Sequence, residues 1–317
     1  MKKYVLTEET KHIGFVTLHR IHALRDFGNV KKGDIGGWIE SENNLSHEGN
    51  AWVGGDAEVC TNARVYDDGR VYGDARVHGD ARVHGDARVH GDARVYGNAQ
   101  VYDNARVYGN ARVYDNSLVY GNARVWGDAQ VCGNAEVWGD GLVRDNAKVC
   151  DNGRVCDNAK VRGDAKVCDN AKVFGDAEVY GDAEVYGDAE VYGNGAVGNN
   201  AKVYGDAKVY GDAEVSGNAR VHGNALVRDN SLVYANARVR GNARVCGVND
   251  WIAINNIGSR NSTTTFYRNK DKGISVSCGC FSGTLEEFVK AVKETHGDSR
   301  YAKEYMAAIE LAKARIL

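Results

Sequence analysis

Val71-Tyr72-Gly73-Asp74-Ala75-Arg76-Val77-His78-Gly79-Asp80-Ala81-Arg82 decides how the rest of the chain is read. It is one six-residue unit written twice. Valine recurs at every sixth residue from Val53 to Val245, 33 times without a miss. Two residues before each valine the side chain is small: alanine, except for Gly69, Gly141, Gly153, Gly195, Ser117 and Ser231. Before that stands Asp or Asn, preceded mostly by Gly and sometimes by Asp. A period of six is neither the 3.6 of a helix nor the 2 of a plain strand. Valine favours extended backbone, while Gly, Asn and Asp tolerate the positive φ of a sharp corner. Each unit is therefore one short strand plus one corner. Valine and alanine point inward, and the two variable positions point out.

Three such sides close an 18-residue coil. The expected fold is an all-β solenoid, a parallel β-helix of about 11 triangular coils, ~50 Å long at ~4.8 Å per stacked strand. Each buried valine contributes about 1.5–3 kcal/mol, mostly offset by the entropy of ordering the chain. Stability is then a sum over neighbouring coils, and both ends need caps.

Composition agrees. The 317 residues include 39 glycines, no proline and 6 phenylalanines. A net charge of −3 gives no global pull toward nucleic acid or anionic membrane. No stretch approaches the ~18 apolar residues of a spanning helix. The start is polar after its first few residues, so no secretory signal is expected. The 8 cysteines then read as free thiols in a reducing cytosol, and the chain as cytoplasmic.

The ends break the beat. Residues 1–50 are expected to form an N-terminal cap, with short strands at Lys3–Leu6 and Phe15–Leu24 and a lead-in coil through Gly36-Gly37-Trp38-Ile39 and Asn44-Leu45-Ser46. Residues 51–263 form the coil, the beat continuing into Trp251 and Ile257 before it fades. Residues 264–317 form a C-terminal module: a hairpin of Thr264–Tyr267 and Ile274–Ser277, then two helices. Thr284-Leu285-Glu286-Glu287 is a capping box, Gly297 a helix stop, and Ser299 caps a second helix with Tyr305, Ile309, Ala312 and Ile316 on one face.

The unit Val71-Tyr72-Gly73-Asp74-Ala75-Arg76 resembles the hexapeptide repeat of the left-handed β-helix superfamily, best known from trimeric acyltransferases. The resemblance implies the left hand, which physical argument alone does not, since parallel crossovers are normally right-handed. Leu24-Arg25-Asp26-Phe27, Asp34-Ile35-Gly36-Gly37-Trp38-Ile39, the stretch Gly279 to Phe288 and Thr295-His296-Gly297-Asp298 resemble the ends of hexapeptide-repeat proteins of phages and prophages, often labelled polymer-forming or transferase-like. That resemblance implies a phage origin and brings no catalytic residues.

Candidate chemistry is sparse. His78, His84 and His90 are the catalytic candidates, with a general-base role in mind. They lie one side apart, on three different faces, where other units carry Tyr, so solvated substitution for Tyr is the reading set against catalysis. The column Tyr66, His84, Tyr102, Tyr120, Trp138, Cys156, Phe174, Tyr192 and Tyr210 forms an aromatic ladder: either a binding face or rings that simply stabilise the coil. Cys132, Cys150 and Cys168 share a column and could hold a soft metal, but independent thiols are favoured and no metal or cofactor is expected. Cys278 and Cys280 are read as sharing one strand face and as structural, as is His296. His19, His22 and His47 lie in the N-terminal cap without a motif. The position before each valine is basic in most units from Arg64 to Lys172 and acidic at Glu178, Glu184 and Glu190. Local pairing of those cations with the corner acids is favoured, which leaves nucleic-acid binding unsupported. No threonine ladder suggests ice binding.

No loop interrupts Val53 to Val245, whereas acyltransferases of the resembled superfamily commonly insert one. The leading expectation is therefore a non-catalytic, rigid binding or assembly protein of phage type, a homotrimer that binds a protein partner, such as a host protein that it antagonises, or its own copies. The alternative is an acyltransferase using an acyl-CoA-type donor at a subunit interface. A weaker alternative is a nucleic-acid-binding or nucleic-acid-mimicking rod.

Overall fold

In the coil each unit folds as a two-residue strand and a tight corner. Arg88–Val89 is representative: it pairs in parallel with Arg70–Val71 on one side and Arg106–Val107 on the other, eighteen residues away in both directions. The ladder continues into the corners, where Arg88 N–H donates to the Ala105 carbonyl at 2.9 Å and His90 N–H to that of Val107 at 3.0 Å. The valines and alanines are fully buried. Ser117 takes an alanine position because its hydroxyl finds partners inside, donating to the carbonyls of Tyr114 at 2.8 Å and Val131 at 3.2 Å.

The corners explain the rest of the repeat. Gly109 sits at φ +70°, and a Cβ there would meet Gly127 N at 3.0 Å. Where Asp replaces Gly it adopts the same left-handed conformation and compensates: Asp103, at φ +56°, accepts the Gly121 N–H at 3.2 Å. The following Asn side chains form their own ladder, Asn98 donating to Asn116 at 2.9 Å and Asn116 to Asn134 at 3.1 Å.

The computed structural model describes residues 2–316, in two compact units, Met1–Cys168 and Asp169–Leu317. In the first unit the rungs make three parallel sheets, the faces of a triangular β-solenoid. One sheet begins with β1 (Tyr4–Ile13), β2 (Val16–Ala23) and β3 (Ile35–Ile39) and takes up every third rung from Glu58–Val59 to Lys166–Val167. β1, β2 and β3 are antiparallel, and β3 then pairs in parallel with Glu58–Val59, so the cap hands over to the coil. A Cβ on Gly37 would lie 2.6 Å from the Ala57 carbonyl oxygen, which is why the Gly-Gly-Trp-Ile stretch needs its second glycine. β1 runs well beyond the expected Leu6: it is an edge strand with mostly exposed or half-exposed side chains, so its sequence reads as polar. Lys3 is fully buried beneath it, its amine donating to the Ala51 carbonyl at 2.7 Å, and burial pushes its pKa down to about 8. Beyond β3 the lead-in turn adds a bridge from Leu45 to Val65, extending the coil below the first valine.

In the second unit the rungs from Lys172–Val173 to Arg244–Val245 follow the same pattern. The continued beat at Trp251 and Ile257 is not a coil. Trp251–Ile257 pairs antiparallel with Ser262–Arg268, which pairs with Ile274–Cys278 and then Phe281–Thr284. Two helices, α1 (Leu285–His296) and α2 (Arg300–Arg315), pack on this sheet through Phe266, Phe288, Tyr305 and Ile309. The expected caps are present: the Thr284 hydroxyl accepts the Glu287 N–H at 3.2 Å, the Glu287 carboxylate accepts the Thr284 N–H at 2.8 Å, and Ser299 caps α2. Ser262–Arg268 closes the last coil, Thr265 accepting the Arg238 N–H at 3.0 Å. Among the described residues no helix is long and apolar enough to cross a membrane.

Candidate functional site

The residue after each valine points outward at a corner, and its neighbour one coil on lies directly above it. Rings there stack face to face. Tyr66, His84, Tyr102, Tyr120 and Trp138 form one continuous stack, with centroids 4.6, 5.1, 4.9 and 5.8 Å apart. Phe174, Tyr192 and Tyr210 form another in the second unit. The other corners carry ladders of the same kind: His78–Tyr96–Tyr114, His90–Tyr108–Trp126 and Tyr186–Tyr204–His222. The sequence reading named one column, and the same spacing of eighteen from His78 and His90 finds the others. Each ring's faces are occupied by its neighbours, so these columns offer edges and hydroxyls to solvent.

The stacks place the three candidate histidines in three separate columns. Partial desolvation holds all three below the ordinary imidazole range, with neighbouring arginines adding to the effect, although His90 is the most exposed of the three. His84 differs in having carboxylates beside it. Its Nδ1 lies 3.8 Å from Asp67, and Asp67 and Asp103 pull its pKa partly back up. Beside His78 stand Arg76 and Arg94, and beside His90 stand Arg88 and Arg106, each lowering the imidazole pKa further.

Beside this column lies a groove of mixed charge, two arginines facing three carboxylates. The single 3-10 turn Glu42–Asn44 is pinned to the coil by Asn44, whose amide donates to the carbonyls of Thr61 and Ala63, both at 2.9 Å. The turn overhangs the rung Arg64–Val65. Two cavities, of about 460 and 500 Å³, open there and share Asn43, Arg64 and Arg82. Glu40, Thr61 and Asp80 line the first, and Glu42, Ser46 and Tyr66 line the second. Tyr66 is the ring on which His84 stacks. Glu42 is held below the usual carboxylate range by Lys2 and then by His47, so it stays charged.

The arginines are not paired as the sequence suggested. Arg88, Arg106 and Arg124 stack in register along one face and Arg94 and Arg112 along another. All five are exposed, and among the described residues none makes an ion pair. Several corner acids are engaged elsewhere: as with Asp103, Asp67 and Asp115 accept backbone N–H groups of the next coil, and in the Gly-Asp corners Asp80 and Asp128 accept the side-chain amides of Asn62 and Asn110. Rung cations find acids where a rung neighbour supplies one, as in Arg76–Glu58 at 3.0 Å and Arg154–Glu136 at 3.8 Å.

The remaining candidates are placed elsewhere. His47 stacks on Tyr4 at 4.3 Å. Cys278 and Cys280 do not share a strand face. Cys278 ends its strand, with Sγ 3.2 Å from the Thr264 hydroxyl, while Cys280 follows Gly279 in the turn and is exposed. With His296 and Tyr305 they line a cavity of about 250 Å³.

Comparison with known proteins bears on the repeat. A family model described as the YdcK beta solenoid repeat matches residues 69–85, 99–115, 105–121 and 119–133. A protein of Escherichia coli (strain K12) described as uncharacterized acetyltransferase YdcK is 39% identical over 61 residues, 17% of this chain and 19% of that protein, so the chain spans under a fifth of that relative. The UDP-N-acetylglucosamine acyltransferase of Francisella novicida aligns at 13% identity and a TM-score of 0.26, over 78% of this chain and 86% of that one. The Arabidopsis UDP-N-acetylglucosamine acyltransferase aligns at 9% identity and a TM-score of 0.28, over 78% and 92%. The two structural likenesses carry no weight for chemistry.

Proposed function

We propose that this chain transfers an acyl group from a thioester donor, with His84 as the general base. One arrangement carries the reading: an imidazole kept neutral by burial, with a carboxylate 3.8 Å from its Nδ1, stacked on a tyrosine that lines a groove holding Arg64 and Arg82. The short likeness to an acetyltransferase over the repeat supports the same class. In this reading Arg64 and Arg82 bind donor phosphates. His84 Nε2 takes the proton from an acceptor hydroxyl or amine as that group attacks the thioester carbonyl. The C–S bond breaks and the proton passes to the departing thiolate. Asp67 offsets the charge on the imidazole while it is protonated. The open side of the groove is closed by a second copy of the chain, expected in a trimer.

The test is acyl transfer and acetyl-CoA binding by the full chain. The reading expects binding that Arg64→Ala with Arg82→Ala weakens, and transfer that His84→Asn lowers by about 10²–10⁴-fold with binding kept. Absence of acetyl-CoA binding at millimolar concentration sinks it.

A second reading is a rigid, non-catalytic binding rod. It rests on the uninterrupted rungs and the exposed, unpaired arginine columns. It expects capture of a protein partner that Arg88→Glu with Arg106→Glu abolishes, and unaltered capture by His84→Asn.

A further inference from the structure

The corner column that begins His78–Tyr96–Tyr114 changes character one coil later, where Cys132, Cys150 and Cys168 follow. A ring in each place would continue a stack worth about 0.5–1.5 kcal/mol per pair. The sequence gives that up for three thiols in succession, and ring packing offers no reason for it. Cys132 and Cys150 are buried and Cys168 half-buried.

Within that column the Cys150 and Cys168 Sγ atoms and a carboxylate oxygen of Asp151 all lie within 4.8 Å of one another. Asp151 is the corner residue after Cys150, at φ +57°, where many units carry glycine. The repeat thus places a carboxylate at a corner where two thiols also meet. Thiolate–metal bonds of ~2.3 Å in a tetrahedral site bring sulfurs to within this separation after a shift of the side chains alone. Lys148 and Lys166 open the two-residue strands that lead into Cys150 and Cys168, point out on the same side, and offset the charge that two thiolates and a carboxylate would bring.

We propose that Cys150, Cys168 and Asp151 form a site for a thiophilic divalent cation of the Zn²⁺ or Cd²⁺ class, with the fourth position left to solvent. Two sulfurs and one oxygen select such ions over Mg²⁺ or Ca²⁺. Each thiol must lose its proton as the metal binds, so affinity falls as pH falls. The site is independent of the groove at Arg64 and Arg82.

The test uses the full chain, reduced and stripped of metal, titrated with Cd²⁺ alone while the sulfur-to-metal charge-transfer absorption is followed. The expected result is saturation near one equivalent per chain, displacement by excess Zn²⁺ but not by Mg²⁺, and weaker binding at pH 5.5 than at pH 7.5, on the order of 10³–10⁴-fold for two thiol protons released. Cys150→Ser and Cys168→Ser should each abolish the band, Asp151→Asn should weaken binding, and Cys132→Ser should leave one equivalent bound. Far-ultraviolet circular dichroism identical to the parent shows that each variant is folded. No band in the parent chain, or an undiminished band in the Cys150→Ser/Cys168→Ser double variant, overturns the proposal.

Discussion

The His84 ring stacks on the Tyr66 ring, 4.6 Å between centroids and 6° from parallel. A single side chain is thereby a packing element and, through its edge, a titratable group beside Asp67. Its two roles separate by substitution. His84→Phe keeps the stack and removes the base; His84→Ala removes both. The expected outcome is equal loss of acyl transfer in the two variants, with a lower melting temperature only for alanine, by a stacking contribution of about 0.5–1.5 kcal/mol per ring pair. Wild-type transfer by His84→Phe would remove the catalytic reading and leave the packing one standing.

Acid should destabilise the coil through its histidines. His78, His84 and His90 titrate below the ordinary range when folded, burial being the first cause in each. The unfolded chain therefore binds more protons as pH falls through about 6.5, and stability drops with it. Melting temperatures measured from pH 7.5 to pH 5 should fall more for the parent than for the His78→Tyr/His84→Tyr/His90→Tyr variant. Parallel curves for the two proteins would show that these rings contribute nothing to the pH dependence.

The corner position discriminates between alanine and aspartate. Gly109 has φ +70° with the next corner's backbone 3.0 Å from a would-be Cβ. Gly109→Ala should cost about 1–2 kcal/mol, the penalty of a left-handed L-residue. Gly109→Asp should cost less, because a carboxylate at such a corner accepts the N–H of the coil above, as Asp103 does from Gly121 at 3.2 Å. Chemical denaturation of the two variants ranks them directly, and alanine milder than aspartate would contradict the account.

Neighbouring residues on one rung should behave oppositely. Val107 is fully buried, and Val107→Ala should cost about 2–3 kcal/mol from lost transfer energy plus a cavity. Arg106 is exposed without an ion pair, so Arg106→Ala should fall within about 0.5 kcal/mol of the parent. Denaturation midpoints for both variants at unchanged slope test the pair.

What was legible in the sequence was whatever repeats. Val53 to Val245 gives the rungs, and Asp or Asn beside Gly gives the corners. The helix caps at Thr284 and Ser299 were equally plain, because a capping box is a local signal. Contacts one coil apart were legible in principle but only where the spacing of eighteen was applied. Tyr66 over His84 was found that way; Tyr96 over Tyr114, and Asp67 beside Gly85, needed the same count from other starting points. Nearness in sequence does not give the charge pairing of the arginines. The pleat instead turns Arg88 onto a flat face, while corner acids bond to the neighbouring coil, Asp67 and Asp115 to backbone and Asp80 and Asp128 to asparagine amides. Trp251 kept the beat of the coil while belonging to an antiparallel strand, since one residue on a period carries no information about strand direction. The groove at Arg64 was not legible, because the turn at Glu42–Asn44 that forms its wall lies outside the periodic region.

Two frames are nested in this chain. The core is written in sixes, and every side of the triangle presents it with the same valine and alanine. The surface is written in eighteens, because a side chain meets its counterpart only after a full circuit, as Arg88 meets Arg106. Removing residues 88–105 would shorten the coil by a circuit and leave every remaining column intact. Removing only residues 88–93 would satisfy the core equally well and shift everything beyond it by one face, setting Tyr96 above Tyr72. Folding reads one frame and recognition reads the other, so a change silent to stability can still scramble every outward-facing column at once.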